Sequence, residues 1–199
     1  MALGPPPRPF SRTPLSISEV DSAELLRISR FSNGEPFFGR TASNRFDDYR
    51  LPKSRRFGTC YFGFTLPVAF AETVLHDEAP VRGRFAIAPE ALASRFVVEF
   101  SGDDLRLANM TGAALKRSGA DSSLSSCDSY ELPHRWSVAI HKHPETVDGF
   151  MYMSRHMNSE KAVVLFDRAA TKVQAKRYVP LLDYPGALRA VMHFGVTWR

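Results

Sequence analysis

The segments Gly149–Ser154, Lys161–Phe166 and Thr171–Val179 follow one another with no helical stretch between them. Each has the length and the β-branched or aromatic content of a strand, and turn-forming or polar residues separate them. Such a run breaks the regular β-α-β alternation of a doubly wound sheet and argues for an α+β fold. The rest of the chain agrees. Further strands are expected at Leu25–Phe31, Gly58–Phe64, Arg95–Phe100 and Asp104–Asn109. Short helices are expected from Thr65 through Glu72, over Ala88–Ala93 led by Pro89, over Thr111–Ser118 capped by Thr111, and over Tyr130–His141 and Ala187–His193. With 199 residues, 44% of them hydrophobic, the chain is long enough for one domain with a real core.

Residues 1–14 carry five prolines and are expected to be extended, either disordered or as an arm packed on a partner. Ser32–Arg56 is rich in loop formers and charge, and a loop of that length in a compact domain is more often functional than not. No apolar run approaches the length of a membrane span, and the first residues lack the apolar centre of a signal peptide. Cys60 and Cys127 are too few for a zinc site or a disulfide framework, so a cytoplasmic, reducing location is the expectation. The net charge is +5 and arginine far outnumbers lysine. Arginine suits planar recognition of phosphate or carboxylate. No long basic run, zinc-finger spacing or helix-turn-helix pattern accompanies the charge, so a small phosphorylated ligand is favoured over nucleic acid.

Common catalytic signatures are missing: no G-x-x-x-x-G-K-[ST] loop, no G-x-G-x-x-G and no G-x-S-x-G elbow. His141 and His143 lack a third ligand at metal spacing and read as ordinary surface histidines at a helix end, so no metal site is expected. One carboxylate stands out. In Thr65-Leu-Pro-Val-Ala-Phe-Ala-Glu-Thr-Val-Leu-His76, Val68 and Ala69 precede Glu72 by one turn and Leu75 follows three residues on. Glu72 thus falls on the apolar stripe, where a carboxylate must be paired, protonated or at work. Arg27 in a strand, Arg45 in the long loop, Tyr61 in a strand and Ser154 at a strand end complete the candidates.

Taken in order, these segments resemble the RES domain, a bacterial family named for its Arg, Glu and Ser. The likeness is carried by Leu26-Arg-Ile28, Gly39 with Asn44-Arg-Phe-Asp47, Tyr61-Phe-Gly-Phe, Ala69-Phe-Ala-Glu72, Asp148-Gly-Phe-Met-Tyr-Met-Ser-Arg155 and Val164-Leu-Phe-Asp167. It is extended by Leu105–Gly112, Asp128-Ser-Tyr130 and the Trp136 helix. The chain is expected to divide into a proline-rich arm over residues 1–20, which has no counterpart in the family pattern, and, as the resemblance implies, a RES domain over 21–199. It implies a split mixed sheet similar to that of ADP-ribosyltransferase toxins, wrapped around an NAD cleft. Arg27, Glu72 and Ser154 are then the catalytic residues, and Arg27, Arg45, Tyr61 and Ser154 contact the dinucleotide. Where the family often has a Gly-Gly-Arg-Trp-like run, this chain has Ser43-Asn44-Arg45-Phe46, with Asn44 expected to supply the left-handed turn.

Known members are toxins of toxin–antitoxin pairs that consume NAD by hydrolysis or phosphorolysis, and some transfer ADP-ribose to protein. A DNA-binding antitoxin of Xre type usually accompanies them, and the likeness is compatible with a homodimer. By the resemblance NAD⁺ is the substrate and no cofactor is required. The arginines would hold the pyrophosphate, Tyr61 the nicotinamide, and Glu72 would face the ribose cation, neither as a general base nor as a metal ligand. Ser154 would orient Glu72 or a nicotinamide group. The acceptor stays open between water, phosphate and a protein side chain. The rivals are a mono-ADP-ribosyltransferase, a catalytically silent module binding NAD or an antitoxin, and a nucleic-acid binder.

Overall fold

The computed structural model describes residues 3–198. One sheet dominates it. In chain order the strands are β1 (Ile17–Asp21), β2 (Leu26–Ser29), β3 (Thr59–Gly63), β4 (Phe85–Ile87), β5 (Phe96–Gly102), β6 (Asp104–Met110), β7 (Gly149–Met153), β8 (Lys161–Phe166), β9 (Val173–Pro180) and β10 (Val196–Trp198). The helices are α1 (Leu66–Thr73), α2 (Pro89–Ala93), α3 (Gly112–Arg117), α4 (Ser123–Ser126), α5 (Glu131–His141) and α6 (Ala187–His193). The large sheet has eight strands in the order β1-β6-β7-β8-β3-β2-β5-β9. Only the β6–β7 pair within it is parallel. A separate pair joins β10 to β4 in parallel. The expected α+β mixed sheet is therefore present, with short helices around it. Among the described residues no helix is long and apolar enough to cross a membrane.

The connection from β5 to β6 dictates the shape. These strands lie near opposite ends of the sheet, yet Asp103 alone separates them. The sheet must fold over on itself for so short a link to close. Its inner face is the cluster of Cys60, Phe62, Val98, Phe100, Leu105, Leu107, Met151, Val163 and Leu165, drawn from both halves. Gly102 makes the corner possible. Its φ is +144°, and a Cβ there would lie 2.1 Å from the carbonyl oxygen of Lys172.

Alternation along β8 sends Val163 and Leu165 inward and Ala162, Val164 and Phe166 outward. The outer side is covered by α5 through Trp136 and Ile140, and by Phe46 and Phe57 of the long loop. The proline-rich start completes this layer. The expectation of a disordered or partner-bound arm over residues 1–14 is corrected from residue 3 onward, where Leu3 and Phe10 are buried in the same core cluster as Trp136 and Ile140 of α5; residues 1 and 2 lie outside the described residues. Trp136 donates from Nε1 to the Gly4 carbonyl at 2.9 Å, and Phe10 meets the indole edge-on at 5.3 Å. A third cluster packs α1 and α6 over β2 and β5 through Ile28, Phe70, Val97 and Val191.

His141 and His143 are not surface histidines. His143 is buried with Nε2 3.1 Å from the Thr13 carbonyl, which ties the start of the chain to the end of α5. His141 stacks on Phe57 at 4.0 Å. Thr111 does not cap α3 with its side chain; its hydroxyl bonds Asn109 Oδ1 at 2.6 Å instead.

Candidate active site

Helix α1 begins where expected: the Thr65 hydroxyl accepts from the Val68 amide at 3.4 Å, with Pro67 in the first turn. Gly63 at the end of β3 lets the helix come in close, since a Cβ there would lie 2.9 Å from the Ala69 nitrogen. Leu66, Val68, Ala69, Phe70 and Ala71 are all buried, so the helix is enclosed on most sides. Glu72 emerges at its end into a cleft of about 670 Å³ between α1, β2, β3 and the long loop. Among the described residues no ion pair joins it to an arginine. It is held by the Ser154 hydroxyl, which donates to Glu72 Oε1 at 2.5 Å and accepts from the Met157 amide at 2.9 Å.

Arg27, Arg45, Tyr61 and Glu72 all line this cleft. Ser154 does not. It is 1% exposed and reaches the cleft only through Glu72. Arg27, on β2, donates from Nη1 to the Tyr61 carbonyl at 2.8 Å and pairs through Nε with Glu35 at 3.0 Å. Burial works against its charge, but Cys60 and Glu35 more than offset this, and its pKa is raised. The neighbouring Cys60 thiol is pushed up to about 11 by burial, which leaves it inert near neutral pH.

Arg45 sits on a loop fixed from two sides. Asp47, fully buried, accepts from Thr59 Oγ1 at 2.5 Å, Tyr61 Oη at 3.1 Å and the Asn44 amide at 3.0 Å. From α5, Ser137 donates to the Phe46 carbonyl at 2.6 Å, and His134 Nε2 lies 2.9 Å from the Asn44 carbonyl. Asn44 contributes its side chain rather than a left-handed backbone; φ is +66° at Ala42 instead. The Arg45 guanidinium bonds the Cys127 carbonyl at 2.6 Å and lies over the Tyr130 ring at 4.7 Å. Tyr61 also accepts from the Phe46 amide at 3.0 Å. Burial, then the Asp47 charge, hold its hydroxyl well above the ordinary tyrosine pKa.

Sequence reasoning missed several residues of this cleft. Tyr152 lines it, its pKa raised by burial and then by Glu72. His76 and His156 lie beside Glu72, and ligand atoms of all three fall within 4.8 Å of one another. Burial lowers the pKa of His156, with Glu72 opposing. These three come from β7, the turn after α1 and the loop after β7, so no local spacing could have joined them. Asp47 stood within a motif already singled out, but only its five-membered bond set shows why it is there.

One cleft of the folded-over mixed sheet thus gathers an acidic side chain and two arginines. The RES domain family model matches residues 24–186, and the chain belongs to that family. A probable toxin, y4kH of Sinorhizobium fredii, is 38% identical over 80 residues, which are 40% of this chain and 62% of that protein. The chain thus spans less than two thirds of that relative. Among solved structures, a chain of the MbcT–MbcA toxin–antitoxin complex of M. tuberculosis is similar with a TM-score of 0.55. The match covers 83% of this chain and 84% of that one at 12% identity, a likeness of fold.

Proposed function

We propose that the protein cleaves the nicotinamide–ribose bond of NAD⁺ as the toxin of a toxin–antitoxin pair. The observation that carries this reading is the Ser154–Glu72 bond, which aims a carboxylate into a cleft lined by Arg27, Arg45 and Tyr61. The cleft volume falls in the range of about 300–1,000 Å³ usual for small-molecule sites. Family membership and the likeness to a probable toxin support the biological role.

The nicotinamide leaves as a neutral base and needs no proton. The barrier lies in positive charge developing on the ribose, as in glycoside hydrolysis. A fixed carboxylate beside that charge stabilises the transition state more than the ground state. Arg27 spends Nη1 on the Tyr61 carbonyl and is held by its ion pair with Glu35, and Arg45 spends Nη1 on the Cys127 carbonyl. A guanidinium has five N–H donors, so both retain donors for a pyrophosphate. Their anchors fix the forks before substrate arrives, which reduces the ordering cost of binding. Ser154 acts as a positioning residue: its hydroxyl is buried behind Glu72 and does not line the cleft, and the chemistry needs no serine nucleophile.

Glu72→Gln keeps the shape and removes the charge. Nicotinamide release from NAD⁺ should fall by at least about 10²–10³-fold, with the melting temperature little changed. Assays with and without phosphate separate hydrolysis from phosphorolysis. Equal turnover in the variant and the parent sinks the assignment. By the same reading an antitoxin of Xre type covers the cleft, and co-purification with the product of a neighbouring small gene is the corresponding check.

A further inference from the structure

Glu72, His76 and His156 meet at the α1 side of the cleft, each offering a ligand atom within 4.8 Å of the others. The two imidazoles face one another, with centroids 4.7 Å apart and planes at 50°. Two imidazoles and a carboxylate are a donor set for zinc and its late first-row neighbours. Bonds of about 2.0–2.2 Å to a shared ion require the donor atoms to draw in by roughly an ångström. His76 can supply that movement: it is exposed and sits in the turn beyond the last residue of α1.

Two further features fit. A metal-binding carboxylate is normally steadied by a hydrogen bond from behind, and Ser154 provides one to Glu72. All three side chains line the open cleft, so an ion held by them would keep positions free for solvent, unlike a closed structural site. Arg45 and Arg155 line the same cleft. Their charge opposes a cation, which suits an ion that comes and goes.

We infer that Glu72, His76 and His156 form a binding site for a divalent late transition metal, zinc foremost, and that an ion seated there withdraws Glu72 from the substrate. The site itself is independent of the proposed NAD⁺ chemistry; the withdrawal of Glu72 rests on it. Occupancy would then inhibit the enzyme, with zinc and NAD⁺ competing for one carboxylate.

The test is calorimetric titration of the untagged full chain with zinc chloride, beside nicotinamide release measured with and without zinc. One zinc per chain is expected. His76→Ala and His156→Ala should each weaken it by at least about 10-fold, the lower end of what losing even a supporting group costs. Zinc should slow nicotinamide release in the parent and lose that effect in His76→Ala, a variant at an exposed position that folding tolerates. No zinc uptake, or equal affinity in the parent and the double variant, overturns the site. Uptake that tracks the histidines with unaltered nicotinamide release overturns the competition. A parent that releases no nicotinamide under any condition fails the functional reading alone, and calorimetry still decides the metal site.

Discussion

Ser154 touches the cleft through a single oxygen of another residue, yet that contact decides where the carboxylate points. Its hydroxyl is spent in both directions, donating to Glu72 and accepting from Met157. Ser154→Ala should therefore have two separable effects. The orphaned Met157 amide costs about 1–3 kcal/mol of stability, read by urea unfolding. The loosened carboxylate lowers kcat for nicotinamide release by about 10–100-fold while KM stays near the parent value, because both arginines remain. A purely structural serine would lower stability without that kinetic split. Glu72 could be singled out as a carboxylate among apolar neighbours, and the family likeness supplied its companions. The bond set of Asp47 and the meeting of His76 with His156 had no such signal, since neither is expressed in local spacing. The same limit explains Ser154: it is visible in the sequence at a strand end, but its depth behind Glu72 depends on the chain just after β7 meeting the end of α1, 82 positions away.

At the scale of elements, α5 links the long loop, the outer core and the start of the chain. Its C-terminal His141 stacks on Phe57 and accepts from Arg168 Nη2 at 2.8 Å through Nε2, a geometry that requires the neutral ring. Burial, then the Arg168 charge, bring its pKa down from 6.5 to about 4. A histidine depressed in the folded state binds fewer protons than the unfolded chain between those values. Its contribution is thus fully present above about pH 6.5 and is lost as the pH falls toward 4. Melting temperature measured across that window should decline, and His141→Gln should flatten part of the decline. Elements of five or more residues with strong patterning were legible: β3, β5, β6, β7, β8 and α6 lie within a residue or two of expectation. The three-residue strands β4 and β10, and α4 with four residues, were not. Segments so short take their form from what they pair with rather than from propensity. Strand β1 escaped for a related reason: only Val20 of its five residues is fully buried, so its apolar pattern is weak.

For the molecule as a whole, the α+β class followed from the order of strands, but the folding-over of the sheet did not. That shape is set by the β5–β6 corner and by pairings between segments far apart in sequence, which periodicity cannot report. The start of the chain makes the same point, since its prolines suggested an extended arm and its two apolar side chains decided where the arm lies. Removing residues 1–12 should uncover Trp136, shift its fluorescence to the red and lower stability by a few kcal/mol, given about 1.5–3 kcal/mol for each large buried apolar side chain. An unchanged emission maximum would contradict the packing described for Leu3 and Phe10. The Ser154–Glu72 bond has a consequence in time as well as in space. Its partners are 82 positions apart, and Ser154 is the later to be made. On the proposed chemistry, a chain emerging from the ribosome carries the arginines and the carboxylate well before the group that aims them. On that same proposal the growing polypeptide would be harmless until its second half closes over its first, which would give the proposed partner protein the length of a translation cycle to be waiting.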